Sequence, residues 1–112
     1  MKIEIIVSSE FEKEFKRLKK KYISLPQDLV LFEKELNENP DIGVNLGSNI
    51  RKIRLSVKSK NKGKSGGARI ITFNIIANII ARKILLVTLY DKSEQQTISD
   101  AEIKRIIKNC NL

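Results

Sequence analysis

The sequence predicts an α+β fold of order βααβββα, in which an antiparallel sheet packs on a helical hairpin and a C-terminal helix closes the chain. Three observations predict it. Two apolar stripes at helical spacing lie back to back in the first third of the chain. Three segments of strand character follow between Ile50 and Tyr90. A capped amphipathic segment comes last. With 112 residues, the chain is read as one domain, 1–112, with one modest core.

The elements follow in order. Residues 2–7 form a short strand, because Ile3, Ile5, Ile6 and Val7 are β-branched. Ser9 and Glu12 have the spacing of a capping box. Phe11, Phe15, Leu18 and Tyr22 then make one apolar helical stripe, with Lys16, Arg17, Lys19, Lys20 and Lys21 mostly on the solvated side. A second helix starts near Ser24, with Pro26 in its first turn and Leu25, Leu29, Phe32 and Leu36 inward; Asn39-Pro40 and Gly43 end it. The short link makes the two helices an antiparallel hairpin.

Asp41 to Asn49 reads as a loop. From Ile50 to Lys58, Ile53, Leu55 and Val57 alternate with Lys52, Arg54, Ser56 and Lys58, the period of a half-buried strand. That alternation lays a row of cations along one sheet face, expected to be open. The stretch from Lys58 to Ala68 is broken by Gly63, Gly66 and Gly67 and reads as a loop. Arg69–Ile76 is a second strand, Ala77 and Asn78 a turn, and Ile84–Tyr90 an apolar, interior third strand. The first strand joins the same sheet. Ser99 and Glu102 cap a last helix with Ile103, Ile106 and Ile107 inward.

Charge is unevenly placed. The net charge is +9, yet no Asp or Glu occurs from Ile42 through Tyr90. That stretch carries +10, and the rest of the chain sums to −1. A concentrated positive field attracts a polyanion, and nucleic acid is the commonest one. No apolar run of about 18 residues is present, and the first residues lack the pattern of a signal peptide. The expectation is a cytoplasmic protein with no membrane partner.

Absent residue types narrow the chemistry. Without histidine, a Ser-His-Asp or Cys-His arrangement is excluded. Cys110 is the single cysteine, so neither an internal disulfide nor a usual zinc site can form. Magnesium nucleases need clustered carboxylates, and only Asp91 and Glu94 stand near the basic block. Gly63-Lys64-Ser65 resembles the end of a P-loop, but the position five before Gly63 is Lys58 rather than glycine, and a strand follows. No cofactor or metal is expected.

Lys, Arg and Tyr remain. RNA carries its own nucleophile, the 2′-hydroxyl, so an enzyme cleaving it works largely by orienting that group toward the phosphate. Cations then stabilise the charge that builds on the phosphoryl oxygens. Arginine grips phosphate with two hydrogen bonds, and a lysine crowded by cations is easier to deprotonate. Lys52, Arg54, Lys64 and Arg69 are expected to meet at one end of the sheet. Arg51, Lys58, Lys60 and Lys62 are assigned to general phosphate contacts that hold RNA in place.

The segments Arg51-Lys52-Ile53-Arg54, Lys62-Gly63-Lys64-Ser65-Gly66-Gly67-Ala68-Arg69 and Thr88-Leu89-Tyr90-Asp91-Lys92-Ser93-Glu94, in this element order, resemble the RelE/HigB branch of the RelE/ParE toxins. The resemblance covers nearly the whole chain. It implies the toxin of a type II toxin–antitoxin system, a metal-independent endoribonuclease (mRNA interferase) cutting mRNA in the ribosomal A site and neutralised by a cognate antitoxin. By position, Lys52 and Arg54 match that branch's basic pair, Arg69 the arginine that contacts the scissile phosphate, and Lys92 the basic residue after the last strand. Relatives carry a catalytic tyrosine several residues beyond that strand. Gln95 to Asp100 holds none, and Tyr90 is the nearest substitute. Two alternatives stay open: a DNA gyrase inhibitor like the ParE branch, and a non-catalytic nucleic-acid-binding relative.

Overall fold

The computed structural model describes residues 2–60, 66–76 and 80–112. The chain opens with a strand, β1 (Lys2–Val7), followed by helices α1 (Ser9–Lys21) and α2 (Leu25–Glu38). Strands β2 (Val44–Gly47) and β3 (Ile50–Leu55) come next, then a single 3-10 turn over Lys58–Lys60. Strands β4 (Ala68–Ile76) and β5 (Ala81–Asp91) and helix α3 (Asp100–Lys108) complete it.

The five strands form one sheet in the order β1-β5-β4-β3-β2. Pairing is antiparallel except between β1 and β5, which run parallel. The sheet is therefore mixed, where an antiparallel one was expected. Strand β2 is an addition to the expected order. It falls in the stretch read as loop, and its four residues are all exposed on the sheet edge. Val44 and Leu46 alternate with Asn45 and Gly47, but the run is only four residues long and is set among turn residues, which hides it as a strand.

The two hairpin helices begin within a residue of where the sequence places them. The first cap is Ser8 rather than Ser9: its hydroxyl accepts from the Phe11 N–H at 2.9 Å and donates to the Val87 carbonyl. Pro26 stands in the first turn of α2, where a missing N–H costs nothing. Phe11, Leu18, Leu25, Phe32 and Leu36 pack with Ile53, Leu55, Ile70, Leu86 and Leu89 in the larger core, between the hairpin and one sheet face.

A smaller core lies on the opposite face. Ile103 and Ile106 of α3 cover Ile71, Leu85, Val87 and Tyr90. The face expected to be open is thus closed over β5 and left exposed over β3. That partition decides where a polyanion can land.

Candidate nucleic-acid interface

Strand register builds the site. Arg54 of β3 stands opposite Arg69 of β4, and Arg69 stands opposite Tyr90 of β5. One row across three strands therefore reads Arg54, Arg69, Tyr90. Lys52, two residues before Arg54, stands opposite Ile71 in the next row. Strand alternation puts Lys52 and Arg54 on the α3 face, because Ile53 and Leu55 enter the core beneath the hairpin.

Exposure grades along the row. Arg54 is exposed, Arg69 is 7% exposed and Tyr90 is 3% exposed. Neither the Lys52 nor the Arg54 side chain has a hydrogen bond or ion pair among the described residues. One Arg69 nitrogen donates to the carbonyl of Ala68 at 3.1 Å, which keeps the guanidinium at the start of β4. Lys58, also exposed, lines a cleft with Arg54, Ser56, Leu31 and Phe32 between α2 and the end of β3.

A family model described as the RelE toxin of the RelE / RelB toxin-antitoxin system matches residues 11–111. The chain belongs to this RelE toxin family. It is the toxin of a toxin–antitoxin pair, and an antitoxin protein is its implied partner. The matched span holds the hairpin from Phe11 onward, the strand row and α3.

In this RelE toxin the remaining candidate residues separate. Lys62 and Lys64 lie outside the described residues. Lys92 directly follows β5, and its ammonium donates to the Gln96 carbonyl at 2.9 Å. Arg51 projects to the hairpin side of the sheet, where its guanidinium donates to the carbonyls of Asp41 at 2.8 Å and Gly43 at 3.4 Å. It pins the loop after α2 and stands apart from the Lys52–Arg54 row.

Tyr90 and Lys60 depart most from expectation. The Tyr90 ring sits in the smaller core beneath Ile103 and Ile106, and its buried hydroxyl has no hydrogen-bond partner among the described residues. Burial pushes that hydroxyl up from its ordinary pKa, with the Arg69 charge pulling the other way. A buried phenol that resists ionisation is a poor general base. Lys60, expected to touch RNA, turns inward: its side chain is 4% exposed and its ammonium lies 2.6 Å from the Asp91 carboxylate.

Asp91 is the feature the sequence reasoning missed, having noted it only as a neighbour of the basic block. Its side chain is 1% exposed. One carboxylate oxygen accepts from Lys60 at 2.6 Å and from the Ser93 hydroxyl and N–H at 2.8 and 2.9 Å; the other accepts from the Tyr22 hydroxyl at 2.6 Å. Burial alone would raise its pKa, but these donors override it and hold the carboxyl well below the usual carboxylate range. Glu94 is engaged too, with Arg17 at 2.7 Å. No cluster of three or more His, Cys, Asp or Glu among the described residues is arranged to hold a metal ion. No described helix is long and apolar enough to cross a membrane.

Proposed function

We propose that this toxin is an mRNA endoribonuclease that needs no metal ion, acts on ribosome-bound message and so stops translation. One observation carries the proposal: two arginines, Arg54 and Arg69, face each other directly across β3 and β4. Like charges directly opposite on a sheet destabilise it. A phosphate placed between them converts that repulsion into attraction, and two guanidinium forks suit its oxygens.

In this reading Arg69, rigidly held at the strand start, stabilises the charge on the phosphoryl oxygens in the transition state. Arg54 and Lys52 orient the backbone so that the 2′-hydroxyl approaches in line. Lys92 supplies further positive charge near the leaving oxygen, and Lys58 guides the incoming strand along the α2–β3 cleft. Tyr90 supports Arg69 from behind and does not transfer protons. RNA's own nucleophile makes the metal dispensable, and a cytoplasmic site gives access to ribosomes. The antitoxin neutralises the toxin by denying RNA this basic face.

Incubating the purified toxin with a defined mRNA, free and in a translating extract, tests this with and without a chelator. Cleavage in the extract that survives the chelator supports the proposal. Intact message accompanied by loss of gyrase supercoiling would replace it with the gyrase-inhibitor alternative.

A further inference from the structure

Beneath the sheet, opposite the arginine row, four chain segments converge on one buried ion pair. The end of α1 supplies Tyr22, the 3-10 turn Lys60, the end of β5 Asp91 and the following turn Ser93. Lys60 also donates to the Gly67 carbonyl at 3.2 Å and to the Ser93 hydroxyl at 2.7 Å. The same Gly67 carbonyl accepts from the Lys92 N–H at 3.2 Å. These hydrogen bonds link Asp91, Lys60, Gly67 and Lys92, and the peptide bond between Asp91 and Lys92 closes the circuit.

The circuit sits one residue from the site. Asp91 is the cross-strand partner of Ala68, directly beside the Arg69–Tyr90 pair. Alternation sends the Asp91 carboxylate to the hairpin side, where Tyr22 meets it, while Arg69 goes to the RNA side. Asp91 thus touches no substrate. Through Lys60 it ties down the Gly67 carbonyl, two residues before Arg69, and the Lys92 N–H is bonded to that same carbonyl. Arg69 and Arg54 carry like charge at opposed positions of the ladder, an arrangement that favours separation of the strand ends unless they are tied.

Resting on the RNA-cleavage proposal above, we propose that Asp91 and Lys60 are positioning residues of the toxin: their buried ion pair holds the ends of β4 and β5 so that Arg69 and Lys92 present their charges at a fixed spacing. The pair's cost suits such a role. A buried ion pair is a weak source of stability, because desolvation offsets most of the attraction, yet it specifies geometry tightly when every lone pair is matched.

The test measures single-turnover mRNA cleavage in a translating extract against toxin concentration, at a temperature where circular dichroism shows each variant fully folded. The variants are Asp91→Asn, Lys60→Met, the double variant and Tyr22→Phe, beside wild type and Arg69→Ala. Misplacement of a catalytic group by about 1 Å costs on the order of 10²-fold in rate. Asp91→Asn and Lys60→Met are expected to lose rate on that scale at saturation, with half-saturation shifted less than about 3-fold, since groups that act together fail together rather than losing affinity. The double variant is expected to be no slower than the worse single one. Tyr22→Phe keeps the charges and should fold like wild type while cutting a few-fold more slowly, which keeps the test open if Asp91→Asn does not fold. A folded Lys60→Met that cuts at the wild-type rate overturns the inference alone. So does a rate loss appearing wholly as weaker half-saturation. A wild type that does not cut overturns the functional proposal, and this inference with it.

Discussion

Arg54 and Arg69 are directly opposed across the β3–β4 ladder, within a stretch from Ile42 to Tyr90 that holds no acidic residue. A sheet built only for stability would place an acid or an apolar residue at one of the two positions. Replacing exposed Arg54 with Ala should therefore raise unfolding free energy slightly, by about 0.2–1 kcal/mol, while lowering mRNA cleavage. Urea melts beside a cleavage assay check both halves. A variant that is less stable and equally active would show that the opposition serves packing.

Tyr90→Phe should leave cleavage within a few-fold of wild type. Its hydroxyl is buried without a partner among the described residues, so removing it should leave stability unchanged or raise it by up to about 1–3 kcal/mol. Thermal melts and initial cleavage rates read the two effects. A large activity loss with an unchanged melt would return Tyr90 to proton transfer.

The Asp91–Lys60 pair should govern acid stability. Asp91 is held below its ordinary pKa in the fold. Its stabilising effect is therefore complete above the unfolded-state value of about 3.9 and is lost as pH falls toward the lower folded value. Asp91→Asn should cost about 3–5 kcal/mol at neutral pH by leaving Lys60 buried without its counter-charge. It should also flatten the fall in stability below about pH 4. Denaturant melts from neutral pH downward check this, and parallel curves for the two proteins would contradict it.

Gly43 and Gly47 offer a matched pair, with φ of +94° and +90°. A Cβ on Gly43 would meet the Lys52 carbonyl oxygen at 2.6 Å and the Ile53 side chain at 2.7 Å; one on Gly47 would meet nothing within 4 Å. Gly47→Ala should cost only the backbone strain, about 1–3 kcal/mol. Gly43→Ala should cost more and, by moving the Lys52 peptide, also slow cleavage. Equal losses in the two variants would contradict the crowding at Gly43.

Much of this was legible because periodicity is local. The stripe Phe11, Phe15, Leu18, Tyr22 and the alternation around Ile53 and Leu55 follow from side-chain spacing alone; the first forms α1, and the second forms β3, which stops at Leu55 rather than running on to Lys58, where a 3-10 turn begins. Strand β2 was not legible. Its residues are exposed, and it leads through Gly47 to Ser48 and Asn49, all at positive φ, so turn chemistry dominates that sequence. Lys60 was indistinguishable from Lys58 for a different reason. Its partner Asp91 lies 31 residues away, and nothing in the charge pattern shows which lysine turns inward. The cover that α3 lays over Tyr90 is likewise long-range, so a strand-end tyrosine looked available for chemistry when it is packed beneath Ile103 and Ile106.

The most direct measurement maps new mRNA 5′ ends in a translating extract given the wild-type toxin or Arg69→Ala. Wild type should produce ends within codons, and the variant should reduce them by about 10²–10³-fold, the loss typical for one donor to a transition-state oxyanion. Ends of equal abundance in the two samples would remove Arg69 from the phosphate site, and no new ends with wild type would contradict RNA cleavage itself.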